Sequence, residues 1–254
     1  MARRPLLLLL LALLLCLPAC GRKGAVQPLL KPLPGPPPGL TVRQDGARLL
    51  ISWDLPKTNL DGSPLADLKG FHLYRIEYEP GRDCPECFDP HQPRADVDLD
   101  FLRGVVRQGD RFYFWDEDVR GGSGYRYRLK GVTRQGREGD GAQVSRTVAT
   151  PPEPPLAPVA VSLDRLVRLS WMAPLEYPVG ATPLGYNVYR WIDGELLPYL
   201  PLNSNLVTTE GFEDFGLTNG TTYHYVVRTV VQFGAEVVES SASEAVVATP
   251  VPEP

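Results

Sequence analysis

The chain has little of what most enzymes, helical proteins and nucleic-acid-binding proteins need. Its 254 residues hold four cysteines, three histidines and two methionines, and no amphipathic helical pattern follows residue 20. Phosphate-binding glycine loops, nucleophile elbows and His-Glu-x-x-His zinc motifs are missing from the sequence. Basic residues number 26 against 30 acidic ones and form no block, which argues against nucleic acid as a partner. We therefore predict a protein that is not an enzyme and carries no cofactor.

Proline and glycine are abundant instead. The 27 prolines and 24 glycines suit many short strands joined by turns better than long helices. The chain is long enough for two domains, each with its own core. Composition thus favours an all-β fold.

The N-terminus carries a secretory signal. Arg3 and Arg4 precede an apolar run over residues 6–17, which is too short for a membrane-spanning helix of about 20 residues. The following Leu-Pro-Ala-Cys resembles the lipobox of bacterial lipoproteins, and the resemblance implies cleavage after residue 19 and lipid modification, including palmitate, of Cys20. Gly21 rather than Asp after that cysteine implies sorting to the outer membrane instead of the inner one.

Two copies of one unit make up the rest of the chain. Alternating apolar residues place Trp53 and Trp171 on inward faces of corresponding strands. The matching segments are residues 49–53 and 167–171, residues 70–75 and 185–190, Phe114 with Asp116 and Phe212 with Asp214, and Tyr125 with Tyr127 and Tyr223 with Tyr225. Such internal repetition indicates tandem domains.

These residues resemble the fibronectin type III family. Its marks are the tryptophan of the second strand, here Trp53 and Trp171, and a tyrosine corner at Tyr125 and Tyr223. The resemblance implies two tandem immunoglobulin-like β-sandwiches. It divides the chain into a signal peptide (1–19), a lipidated cysteine with a proline-rich tether (20–37), a first domain (38–150), and a proline-rich joint with a second domain (151–254). The prolines of residues 151–158 predict a stiff joint that permits a limited swing between the domains.

The two copies differ by an insertion. Tyr74 and Tyr125 lie 51 positions apart, whereas Tyr189 and Tyr223 lie 34 apart, so the first copy carries 17 extra residues. These include Cys84, Cys87 and His91. Since binding residues concentrate on loops of rigid scaffolds, the insertion is the best functional candidate in the sequence.

The cysteine pair has three possible roles. In an oxidising compartment Cys84 and Cys87 favour a local disulfide. A zinc site with His91 is the second possibility, with Asp83 or Asp89 as the fourth ligand. A redox-active dithiol is the third, although no helix is indicated nearby to lower a thiol pKa.

Two smaller patterns have structural explanations. The run from Asp96 to Phe101 predicts a strand with outward aspartates and inward Val97, Leu99 and Phe101 rather than a calcium loop. Trp115 and Trp191 lack counterparts in the other copy, and we expect both in the core.

The sequence predicts a lipid-anchored protein of the bacterial cell envelope, at the outer membrane or periplasm, that acts as a protein-interaction or scaffold module. Its partners are the membrane, through the lipid, and another envelope protein or a glycan. A carbohydrate-binding or enzyme-accessory role is the alternative and would need a row of exposed aromatics, for which the candidates are Trp115, Trp191, Tyr186 and Phe88. A metal- or redox-responsive role for residues 84–91 is a third possibility.

Overall fold

A computed structural model describes residues 32–82, 84, 86, 90 and 92–253. This part of the chain contains fifteen β-strands and no α-helix, and it therefore offers no helical segment with the length and apolarity to span a membrane. The all-β fold class is confirmed. Residues 33–254 form one compact unit.

The first sandwich consists of two four-stranded layers. One follows the order β1-β2-β6-β5 and the other the order β4-β3-β7-β8. The strands are β1 (Thr41–Asp45), β2 (Arg48–Asp54), β3 (Leu68–Tyr78), β4 (Ala95–Asp98), β5 (Val105–Gln108), β6 (Arg111–Asp116), β7 (Gly124–Thr133) and β8 (Glu138–Thr147). Between the layers, the Trp53 ring stacks on Phe112 at 5.5 Å and meets the edge of Phe71 at 5.6 Å. These aromatic contacts form the centre of the first core.

The second sandwich repeats this plan with fewer strands. Its layers are β12-β10-β9 and β11-β13, where β13 pairs with both β14 and β15. The strands are β9 (Leu156–Leu163), β10 (Leu166–Met172), β11 (Thr182–Ile192), β12 (Gly211–Phe215), β13 (Tyr223–Phe233), β14 (Glu236–Glu239) and β15 (Val246–Ala248). Trp171 packs against Tyr186 at 5.3 Å in the core. The prediction of two immunoglobulin-like sandwiches is thus confirmed by the strand order itself.

Both predicted tyrosine corners form. The Tyr125 hydroxyl accepts a hydrogen bond from the backbone N–H of Arg120 at 2.9 Å, and the Tyr223 hydroxyl accepts one from Thr218 at 3.1 Å. Each bond fixes the crossover between the two layers at the same place in each copy.

The two sandwiches share one sheet. Strand β14 of the second pairs in parallel with β1 of the first, with Gln44 opposite Val238 and Asp45 opposite Glu239. An eight-stranded sheet results, in which seven strands follow the path β11-β13-β14-β1-β2-β6-β5 and β15 pairs with β13 beside it. Instead of the limited swing expected from the proline-rich joint, backbone pairing joins the two sandwiches directly.

Buried charges reinforce this junction. The Arg228 guanidinium forms an ion pair with Asp45, both side chains being almost fully buried, and donates a 2.9 Å hydrogen bond to the carbonyl of Ser240. The Glu239 carboxylate accepts hydrogen bonds from Asn187 at 2.9 Å and from Tyr189 at 2.7 Å. Buried charges are tolerated only when they are paired, so this network demands a fixed geometry between the sandwiches.

Gln44 ties the start of the joint to the first sandwich. Its fully buried amide donates to the carbonyl of Ala149 at 2.7 Å and accepts from the N–H of the same residue at 3.0 Å. These two hydrogen bonds satisfy the backbone N–H and carbonyl of a residue that lies outside the strands. The chain therefore enters residues 150–155 from a defined position.

The folded unit begins at Leu33, five residues before the boundary placed at residue 38. The N–H of Gly35 donates to Thr58 at 3.1 Å, and Pro34 lies against Gly131 and Gly139. A Cβ at Gly139 would come within 2.0 Å of the Pro34 carbonyl oxygen. Glycine at this position leaves the space in which the proline segment sits.

The acidic run is only partly as expected. Val97 is buried and Asp96 and Asp100 are exposed, but β4 ends at Asp98 and Phe101 is 64 % exposed. The chain turns there because the N–H of Phe101 donates to the carbonyl of Asp98 at 3.1 Å. The inward placement of Phe101 was therefore wrong.

The junction makes a testable prediction. Arg228→Met removes the buried cation of Asp45 and leaves only the more distant Arg48, 3.9 Å away, so it should lower the free energy of unfolding by about 3–5 kcal/mol. Urea denaturation of the full chain measures it, with Arg82→Met as control because Arg82 pairs with Glu79 in full exposure. The double variant Asp45→Leu, Arg228→Met should recover most of the loss. An Arg228→Met effect no larger than that of the control would contradict the assigned network.

Candidate functional site

The insertion of the first sandwich runs from the end of β3 to Arg94. Within it Cys84 is half-buried and Glu86 exposed. Cys87, Phe88 and His91 lie outside the described residues, so the disulfide and the zinc alternative both stay predictions. Cys20 also lies outside them, and its lipid modification has the same standing.

A fully buried carboxylate holds the base of the insertion. Asp116, at the end of β6, accepts hydrogen bonds from Arg75 at 2.9 Å and from the Tyr127 hydroxyl at 2.8 Å. Burial, together with the adjacent Asp116 carboxylate, raises the pKa of Tyr127, which keeps this hydroxyl protonated as a donor. The site therefore fixes the ends of β3, β6 and β7 relative to one another.

The second sandwich contains the same arrangement. Asp214 accepts from Arg190 at 2.8 Å and from the Tyr225 hydroxyl at 2.8 Å. The repeated Arg, Asp and Tyr positions of the sequence are thus explained by one buried triad in each copy. The triad is a feature of the fold and does not by itself indicate a function.

Arg94 distinguishes the first copy from the second. Its guanidinium donates to Asp116 at 2.9 Å, and its backbone N–H donates to the Leu73 carbonyl at 2.7 Å. The insertion thus returns to the sandwich through a second arginine on the same buried carboxylate. Sequence reasoning missed Arg94, and the available signal was its place at the end of the 17-residue insertion.

The outgoing side of the insertion is fixed more loosely. Glu77, near the end of β3, pairs with Arg120 at 2.7 Å, and Glu79 pairs with Arg82 at 3.0 Å. Exposed ion pairs of this kind contribute little stability. Among the described residues of the insertion, Arg94 is the one that contacts a fully buried carboxylate.

A polar cluster lies on the outer face of the same layer. The Glu138 carboxylate accepts from Lys130 at 2.8 Å, from His72 at 2.6 Å and from the Tyr74 hydroxyl. Burial raises the pKa of Glu138, but the hydrogen bonds from Lys130, Tyr74 and His72 outweigh it and lower that pKa to about 2. Burial and the neighbouring Glu138 raise the pKa of Tyr74 to about 12. A carboxylate held so firmly in its charged form is a poor general base, so the cluster is a structural element.

The described residues contain no group of three or more side chains suited to hold a metal ion. Asp96, Asp98 and Asp100 pair instead with His72 at 3.6 Å, with Lys69 at 3.8 Å and with Arg134 at 3.1 Å, respectively. These three aspartates therefore contact basic side chains of neighbouring segments, and of the three only Asp96 and Asp98 lie in β4.

The two unmatched tryptophans are not in the core. Trp115 is half-buried, with the Arg48 guanidinium 3.8 Å from its ring centroid, and Trp191 is half-buried against the ring of His224 at 5.3 Å. Strand alternation places Trp115 on the face opposite Phe114 and Asp116. The core assignment was wrong for both residues.

Trp115 belongs to the junction. Tyr199, from the segment between β11 and β12, stacks on Tyr113 at 4.2 Å with an interplanar angle of 7° and lies 6.2 Å from Trp115. The carbonyl of Tyr199 accepts a 2.8 Å hydrogen bond from Arg43. Trp115 lacks a counterpart because only the first sandwich presents this face to another one.

The three candidate aromatics for glycan binding that the structure describes do not form a row. Tyr186 is buried in the second core, while Trp115 and Trp191 belong to different sandwiches. A cavity of about 420 Å³ at the junction is lined by Asp45, Arg48, Glu117, Leu197, Arg228 and Ser241. Two of these, Asp45 and Arg228, form the buried ion pair, so this cavity is part of the joint.

Comparison with known proteins adds little. No family model matches the chain, and no curated protein matches it. Among solved structures, the chain is similar to the crystal structure of chicken CNTN1 FN1-FN3 domains, with 15 % identity over 87 % of this chain and 68 % of the other and a TM-score of 0.32. At that score the likeness carries no argument about function. The assignment of the fold rests on the strand order and on the two tyrosine corners.

Replacing Arg94 tests the anchoring of the insertion. Arg94→Gln should cost about 1–3 kcal/mol of stability, because hydrogen bonds to a buried charge are lost while Arg75 and Tyr127 still satisfy Asp116. Hydrogen exchange should accelerate selectively in residues 79–94. Arg82→Gln is the matched control within the same segment. Unchanged exchange in Arg94→Gln would show that the insertion is held by other contacts.

The Glu138 cluster predicts a pH dependence. The pKa of the Glu138 carboxyl, about 2, lies below the ordinary value of 4.5. The stabilisation that this carboxylate gives is therefore fully present above pH 4.5 and is lost as the pH falls toward 2. Glu138→Gln should lose about 1–2 kcal/mol at pH 6, an estimate reduced for the partial exposure of the side chain. Urea denaturation of both proteins at pH 6 and at pH 2.5 measures this difference, which should shrink at the lower pH. A difference that stays constant with pH would refute the assignment.

Proposed function

We propose that this protein is a membrane-anchored lipoprotein of the bacterial cell envelope that acts as a rigid protein-interaction or scaffold module. The observation that carries the proposal is the junction, where β14 pairs with β1 and Arg228 pairs with the buried Asp45. Two sandwiches joined in this way display their loops in a constant relative geometry. Such a body suits the positioning of a partner more than the turnover of a substrate, and we propose no enzymatic activity.

Anchoring follows from the sequence. Lipid on Cys20 attaches the chain to a membrane, because each buried CH₂ contributes about 0.8 kcal/mol and two or three acyl chains hold almost permanently. The proline-rich residues that follow act as a semi-extended spacer. The outer membrane, on its periplasmic side or at the surface, is the proposed location.

The insertion is the proposed contact surface for another envelope protein. It is an insertion that the second copy lacks, and Arg94 fixes its return on the buried Asp116. A loop on a rigid base loses less conformational entropy on binding than a free one. A protein partner is favoured over a glycan because Tyr186, one of the required aromatics, is buried in the core.

Membrane attachment is tested by substitution of the proposed lipid site. Cys20→Ser, expressed with its native leader in a bacterial host, should remove acylation and move the protein from the membrane fraction to the soluble one. Cys16→Ser is the matched control, because it changes a leader cysteine that the proposal leaves unmodified. Fractionation and mass spectrometry of the mature N-terminus measure both. Membrane retention of Cys20→Ser equal to that of the control would refute the anchor.

The contact surface is tested by site-specific photocrosslinking in cells. A photoreactive residue at the exposed Glu86 should give one defined protein adduct, whereas the same residue at the exposed Glu176 of the second sandwich should not. The adduct should weaken when Arg94→Gln is added, because the insertion then loses its anchor. Equal adducts from both positions would contradict the assignment.

A further inference from the structure

The second sandwich presents an apolar sheet face to solvent. On the outer side of β9, β10 and β12, Val159 is 51 %, Val161 47 %, Met172 55 % and Phe215 66 % exposed. Arg168 and Glu213 lie on the same side in neighbouring strands, and the Arg168 Nε is 2.8 Å from the Glu213 Oε1. We call this surface, the outward residues of β9, β10 and β12, the open face.

The corresponding face of the first sandwich is covered. Strands β2 and β10 occupy equivalent positions, yet β2 is buried on both sides along its middle, whereas β10 alternates strictly between buried and exposed residues. Leu50 and Tyr113 are buried there although neither belongs to the first core. Tyr199 of the second sandwich stacks on that face. Within this chain, an apolar face of this type is therefore one that another β-sandwich covers.

The segment that carries Tyr199 covers the equivalent face of the first sandwich, so the same chain cannot also use it to cover the open face. Tyr199 is already held on the first sandwich by Tyr113 and by Arg43. A second copy that buries its own open face against this one makes a two-fold symmetric contact. The face is self-complementary in charge, because a two-fold axis brings Arg168 of each copy to Glu213 of the other.

We infer that two copies of this chain associate through their open faces in a two-fold symmetric dimer. Eight residues of β9 at about 3.3 Å each and three strands about 4.8 Å apart give a footprint of roughly 26 Å by 14 Å. A standard stable interface needs about 800 Å² from each partner, so the dimer is weak and depends on concentration. If the chain is anchored as proposed above, confinement of two copies to one membrane raises their effective concentration.

Charge exchange between two tagged copies tests this inference. The full chain is expressed as two differently tagged forms in one cell, and co-purification after brief chemical crosslinking in mild detergent is measured. Arg168→Glu in both forms, or Glu213→Arg in both, should reduce co-purification at least tenfold. Arg168→Glu in one form with Glu213→Arg in the other should restore it, since the opposite charges then meet only across the dimer axis. Within each mixed copy the intrachain pair stays broken, which separates association from folding.

Two further variants complete the design. Phe215→Ser leaves the charges unchanged and should also reduce co-purification, because it removes the most exposed apolar side chain of the open face. The same exchange at Arg134 and Asp100, an exposed ion pair of the first sandwich outside the insertion, is the control and should have no effect. Wild-type copies that fail to co-purify, or a mixed pair that recovers nothing, would overturn the dimer. Either failure would leave the Cys20 anchor and the Glu86 adduct untouched, so the two proposals can fail separately.

Discussion

Pairing of β1 with β14 is the constraint on which the rest of the molecule depends. Each strand has an edge whose N–H and C=O groups need partners, and here each edge supplies them to the other. The pairing brings Asp45 beside Arg228 and lays Tyr199 on Tyr113. Because buried charges and stacked rings tolerate little displacement, the junction defines a single arrangement of the two sandwiches. Asp116 at the base of the insertion and the open face acquire a constant relative geometry from it.

Much of the fold could be predicted from the sequence because it is encoded locally and twice. The inward tryptophans and the two tyrosine corners each depend on residues within one strand or one turn, and all of them are found in the structure. A pattern that occurs in both copies is also less apt to be a coincidence than a pattern that occurs once. Fold class and most strand faces therefore followed from alternation and repetition, whereas the inward placement of Phe101 did not hold.

What could not be predicted depends on contacts between distant segments. The register that places Gln44 opposite Val238 joins positions about 200 residues apart, and no local pattern marks it. Trp115 was assigned to the core because its size was weighed more heavily than its position in the alternation. Arg94 is an ordinary surface arginine by sequence, and only the fold brings it to the carboxylate that Arg75 already holds. The disulfide, the lipid and the partner stay predictions.

The burial of β2 on both sides has a consequence for the history of the repeat. Two sandwiches that arise by duplication start as equivalent domains, each soluble without the other. Leu50 and Tyr113 now require cover from the neighbouring module, and Arg168 occupies the place that Leu50 has in the other copy. The two sandwiches therefore cannot exchange places in the chain. The first one without the second would expose an apolar surface. Removal of the second sandwich would expose Leu50 and Tyr113, so the first sandwich depends on the second to cover this face.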